Sequence, residues 1–133
     1  MKFSILFTIL FFSCLNCFSQ HDTIQVKTND TYKYNAIEKK PEFPGGIGAF
    51  YKYIGNNYKT PNVNNLSGKV FVNFVIEKDG SIVEVKSVRD LGYGTGEEAI
   101  RVLTESPKWS PGMQNGQPVR VMYSLPITIQ TSR

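Results

Sequence analysis

Histidine and cysteine are nearly missing from this chain: one histidine and two cysteines occur in 133 residues. All three stand near the start, as Cys14, Cys17 and His21. A hydrolytic triad or a histidine-rich zinc site therefore has no imidazole to build on in the rest of the chain. Thiol catalysis and cysteine metal sites lack their ligand in the same way. Strong charge of one sign is also missing. Fifteen basic residues face eleven acidic ones, and the basic residues are scattered, so no nucleic-acid footprint emerges. Carboxylates do not converge either: Glu97 and Glu98 are adjacent and diverge around a helix, while Glu77 and Asp79 flank a turn. The reading is a non-enzyme with no cofactor, no metal and no small-molecule substrate.

One long apolar run exists. Lys2 is followed by a nearly unbroken apolar stretch from Phe3 to Phe12, then by Cys17 and Ser19 as small residues. This order of a basic residue, an apolar segment and a small-residue cleavage site reads as a signal peptide over residues 1–19. The stretch up to Phe18 is shorter than the roughly 17–25 apolar residues of a spanning helix. An uncleaved anchor, or lipid on Cys14, is the lesser alternative. The expectation is an exported chain, periplasmic after cleavage, whose mature form carries no cysteine.

Residues 20–40 are polar and show no sustained period, and they read as a flexible tether with a short strand near residues 23–26. A compact domain is expected over residues 41–130. It opens on Pro41, Pro44, Gly45 and Gly46, a turn composition. Ile47, Phe50, Tyr51 and Ile54 then repeat as one apolar helical face, predicting a helix over residues 47–57.

Residues 69–78 and 81–89 alternate in polarity on either side of Asp79-Gly80, which predicts an antiparallel hairpin with a left-handed pair at its turn. Gly92, Gly94 and Gly96 form a glycine-rich loop that matches no nucleotide fingerprint, so a connector is expected. A second helix is predicted over residues 97–106, with Thr95 as its cap, Ala99, Val102 and Leu103 buried, and Pro107 at its end. Trp109 reads as a lid on the core rather than a ligand platform. Pro111 and Asn115-Gly116 make the next segment turn-rich. Residues 118–130 predict a long last strand with its odd positions apolar.

The class is α+β. The functional signal is the last strand. If it lies at a sheet edge, its outer amides and carbonyls invite another strand. Arg120, Met122, Ser124, Pro126 and Thr128 are the candidate partner-binding positions, and only one of them carries a charge. Addition of a partner peptide and pairing of two copies of this chain both remain open.

Several segments together resemble the C-terminal domain of TonB in the form common in Bacteroidetes. They are the opening around Pro41-Glu42-Phe43-Pro44-Gly45-Gly46, the hairpin around Asp79-Gly80, Pro107-Lys108-Trp109-Ser110-Pro111-Gly112, and Asn115-Gly116-Gln117-Pro118 with Leu125-Pro126-Ile127. The resemblance implies two helices packed on a three-stranded antiparallel sheet, in the periplasm. It also implies binding of the short N-terminal box peptide of outer-membrane receptors beside the last strand, as part of transmembrane transport. Full-length members couple the proton gradient to uptake through an anchor that contains a histidine and a proline-rich linker. Residues 3–18 contain no histidine and residues 20–40 no proline, so the expectation is a binding domain without energy transduction of its own.

Overall fold

A computed structural model describes residues 31–132. The expected signal peptide, the first part of the expected tether, the short strand near residues 23–26 and His21 lie outside the described residues.

The chain enters α1, Ile47–Asn57, through a tight turn in which the Gly46 amide donates to the Phe43 carbonyl at 2.7 Å. Pro44 presets the first central position of that turn, and Gly45 takes the second with φ +87°. The helix has the predicted bounds, but its buried side is rotated. Phe50 and Ile54 are buried with Ala49 and Tyr53 packed beside them, while Ile47 and Tyr51 stay about half exposed. The reason lies in two tyrosine hydroxyls that aim this flank at α2, Thr95–Thr104. Tyr53 donates to the Val102 carbonyl at 2.9 Å, and Tyr58, just past α1, donates to the Thr95 carbonyl at 2.7 Å.

α2 starts two residues earlier than expected, and Thr95 is not its cap. Gly94 holds that position in a left-handed conformation, φ +75°. Thr95 is buried as the first helical residue. Its hydroxyl donates to the Gly92 carbonyl and accepts from the Leu91 amide, which pins the glycine loop onto the helix start.

β2, Ser67–Ile76, and β3, Ile82–Arg89, form the expected hairpin. Its turn differs from the expectation. Only Gly80 has a positive φ, and the Gly80 amide donates to the Glu77 carbonyl at 2.9 Å. The loop is thus a turn followed by one left-handed residue. Asp79 has no positive φ and accepts from the amide and hydroxyl of Ser81. The paired left-handed turn occurs instead at Asn115-Gly116, φ 50° and 72°. It joins β4, Gly112–Gln114, to β5, Gln117–Gln130.

The sheet corrects the expected three-stranded antiparallel arrangement: it is a mixed sheet of five strands. β5 pairs antiparallel with β2 from Ser67 opposite Gln130 to Ile76 opposite Val121. The added strands are β4 and β1, Thr31–Lys33, which runs parallel to β5. Residues 31–40, read from sequence as tether, are therefore docked. After β1 they make a short 3-10 turn, Tyr34–Ala36, and Lys39 then pairs with Met113, followed just beyond by Glu42 with Ser110. Three-residue strands held by backbone bonds leave no polarity period to read.

The core lies between the helices and one sheet face. Val70, Val72, Phe74 and Ile76 of β2 and Leu125, Ile127 and Ile129 of β5 meet Phe50, Ile54, Ala99, Val102 and Leu103. Trp109 is buried among Phe43, Phe50, Phe74 and Tyr123, with ring centroids 5.0–6.1 Å away.

Candidate functional site

β5 is the longest strand, and its alternation sends odd residues into the core and even residues to the opposite face. Ser124, Pro126 and Thr128 are exposed on that opposite face, and Met122 is 41% exposed. One side of β5 is filled by β2 along residues 121–130. The other side carries β1 against Arg120, Val121 and Met122. Beyond Met122, no strand among the described residues pairs with it. Among the described residues, 123–130 thus form an open edge.

Pro126 shows which backbone groups face outward. It sits opposite Phe71 in a ladder whose register runs without a shift. A proline is tolerated inside such a strand when its nitrogen faces the open side. Ser124 and Thr128 share its parity, so their amides point to that same side. The open edge therefore offers amides from Ser124 and Thr128 and a carbonyl alone from Pro126.

The opposite edge of the sheet, β3, is built differently. Its pairing with β2 breaks register twice, Glu84 has φ 52°, and Glu84, Lys86 and Arg89 are exposed charges. Bulges and charges are the usual means of keeping a strand edge from recruiting another chain. The edge at residues 123–130 has no charged side chain.

Arg120 has another task. It is only 14% exposed, and its guanidinium donates to Glu77 at 2.8 Å, to Glu84 at 3.3 Å and to the Thr31 hydroxyl at 3.1 Å. Glu77 and then Glu84 hold it above the ordinary arginine range, so it stays charged. It clamps β1, β5 and the β2–β3 hairpin together.

Next to the open edge the structure places residues the sequence reading did not single out. Tyr34 stacks on Tyr123 with ring centroids 4.3 Å apart, and Lys40 lies 4.9 Å over the Tyr34 ring. Burial, followed by the neighbouring Tyr34 and Tyr51 phenols, pushes Tyr123 up to about 12. A cleft lined by Lys33, Tyr34, Asn35, Met122 and Ser124 opens where β1 ends. The strand-prone composition of Thr31-Tyr32-Lys33-Tyr34, without a polarity period, was the available signal for this segment.

Pro44, Gly45, Gly46, Asp79, Gly80, Pro107, Trp109 and Pro111 do not gather at this edge, although the buried Trp109 ring packs on Tyr123. They form the turn into α1, the β2–β3 turn, and the segment after α2 that seats Trp109. Among the described residues, no group of histidine, cysteine, aspartate and glutamate side chains is arranged to hold a metal ion. No helix there is long and apolar enough to cross a membrane.

Comparison with known proteins gives a family match. The family model for the Gram-negative bacterial TonB protein C-terminal matches residues 62–129, from the loop before β2 almost to the end of β5. β1 and α1 lie outside that stretch. No curated protein and no solved structure matches the chain.

Proposed function

The chain belongs to the Gram-negative bacterial TonB protein C-terminal family, and from that premise we propose that it binds an extended segment of an outer-membrane receptor, or of another periplasmic protein, by strand addition to β5. It acts in this reading as an exported interaction domain in transport across the cell envelope. The observation that carries the reading is the contrast between the two sheet edges. β3 is bulged and charged, whereas residues 123–130 of β5 are straight, uncharged and open among the described residues. Backbone bonds to such an edge supply affinity, and side chains alternating across it supply selectivity.

Ser124→Pro and Thr128→Pro each remove one outward amide and leave the β2 ladder its bonds. Both variants of the full chain should keep the far-ultraviolet circular dichroism of the wild type and lose binding of a synthetic receptor box peptide in titration calorimetry. Undiminished peptide binding by the folded variants overturns the reading. A stable dimer in sedimentation, with no peptide binding, assigns the edge to a second copy of the chain instead.

A further inference from the structure

β1 lies on the same side of β5 that the added strand would use, and it stops where the open edge starts. We propose that residues 31–36 are a fixed end-stop on that edge. The stop confines a partner strand to residues 124–130 and seats the partner's last side chain over Met122. This inference rests on the strand-addition reading above and concerns its register and extent.

Three observations carry it. First, the chain leaves the sheet at a defined point. The turn Tyr34–Ala36 follows β1 directly, and the Tyr34 ring lies on Tyr123, the residue that begins the unpaired stretch. A strand advancing along β5 meets this turn after Ser124.

Second, the stop is braced on both sides. Arg120 holds Thr31 and is itself fixed by Glu77. On the far side Ile37 is buried, Lys39 and Met113 exchange amide-to-carbonyl bonds at 3.1 and 2.9 Å, and Glu42 and Ser110 do the same at 3.0 and 2.8 Å. Sliding the turn off Tyr123 would break several of these bonds together.

Third, the space left at the stop has a definite character. Met122 supplies an exposed apolar floor, Lys33 and Asn35 stand at its rim, and no carboxylate lines it. The occupant that suits it is an extended segment whose terminal residue on that face is aliphatic. Such a segment is short, about seven residues at ~3.3 Å each. β1 and the partner strand then lie end to end along one side of β5.

The test uses the full-length chain and a synthetic receptor box peptide, followed by amide chemical shifts and hydrogen exchange. Peptide binding should move the amides of Ser124 and Thr128 and leave exchange at Tyr32 and Lys33 unchanged. With Tyr34→Ala, which removes the ring that holds the turn on Tyr123, peptide binding should lower protection at Tyr32 and Lys33 as the partner strand advances past Ser124. Loss of protection at Tyr32 and Lys33 on binding to the wild type, with shifts still present along residues 124–130, overturns the stop and leaves strand addition standing. An absence of any shift along β5 overturns strand addition, and the stop with it.

Discussion

A Cβ atom placed on Gly80 would stand 1.7 Å from the carbonyl oxygen of Trp109, and the Trp109 amide donates to the Gly80 carbonyl at 2.8 Å. The β2–β3 turn and the segment that carries the central indole are thus in backbone contact. That contact explains why a glycine is needed there beyond its left-handed φ of 87°.

Gly80→Ala should cost more than strain alone. A left-handed alanine costs about 1–2 kcal/mol, and here the Trp109 carbonyl must also move. We expect a loss of at least ~2 kcal/mol in urea unfolding and a fall in Tm on the order of 10 °C. Gly116→Ala is the control: φ is 72°, but nothing lies within 4 Å of the added carbon. Its cost should stay near 1 kcal/mol. Equal losses at the two sites would mean that the Trp109 contact contributes nothing.

Arg120→Met tests the clamp. The substitution keeps the stem and removes the bonds to Glu77, Glu84 and Thr31. Hydrogen bonds to charged groups contribute roughly 1.5–3 kcal/mol when partly buried, so a stability loss of about 2 kcal/mol is expected. Hydrogen exchange at Tyr32 and Lys33 should quicken more than exchange in β2, because β1 loses its side-chain link to β5 while the β2 ladder is untouched. Uniform quickening across the sheet would show that Arg120 has no special hold on β1.

The parts that sequence periodicity exposed are those where side-chain burial dictates the element. The α1 bounds, the β2–β3 hairpin and the odd face of β5 follow from apolar residues recurring over two turns or more, or over several alternations. β1 and β4 were hidden because three residues joined by backbone bonds need no such pattern. The buried flank of α1 was misread because Tyr53 and Tyr58 are amphipathic: their rings pack and their hydroxyls find carbonyls on α2. The candidate edge was legible as a strand with few charges. Its extent was not, since Arg120 and Met122 are taken up by a segment whose polarity suggested a tether.

Alkaline pH should unfold the domain through its tyrosines. Burial pushes Tyr58 up to about 12, with Glu98 next in effect, and Tyr123 also to about 12. Burial raises Tyr53 as well. A phenol whose folded pKa is raised contributes stability that is complete below its unfolded value of about 10. That contribution is lost as pH climbs through the folded value. Stability should therefore hold up to about pH 10 and fall between there and pH 12. Absorbance titration at phenolate wavelengths should show a late-ionising set among the seven tyrosines. Tyr58→Phe should shrink that set. Normal ionisation of all seven in the folded chain would contradict the burial of these rings.

The Glu98 carboxylate ties the helices together at the acid end of the pH range. It accepts from Arg101 Nε at 2.9 Å and from the Lys59 amide at 2.8 Å, and Arg101 Nη2 reaches the Asn57 carbonyl at the end of α1. Arg101 above all holds Glu98 below the ordinary carboxylate range. A depressed folded pKa gives stability that is present above the unfolded value of about 4.3 and is lost as pH falls through the folded one. Glu98→Gln should cost about 1 kcal/mol at neutral pH and little at strongly acidic pH. Denaturation curves at the two pH values check this, and an equal cost at both would deny the ionic character of the contact.

Pro126 is the one interruption in the outward amides of residues 123–130, and replacing it should change how the chain associates. Pro126→Thr supplies an amide on the open side, between those of Ser124 and Thr128, in a strand-prone residue with no charge. The outer edge of residues 123–130 then presents an unbroken row of donors and acceptors, the condition under which edges recruit further strands. The β2 ladder should be unaffected, because the proline nitrogen faces away from it. Sedimentation over a range of concentrations should show the variant self-associating where the wild type does not, with monomer stability at low concentration changed by less than ~1 kcal/mol. If Pro126→Thr instead destabilises the monomer and shows no added association, the nitrogen faces β2, and the outward assignment of Ser124 and Thr128 fails with it.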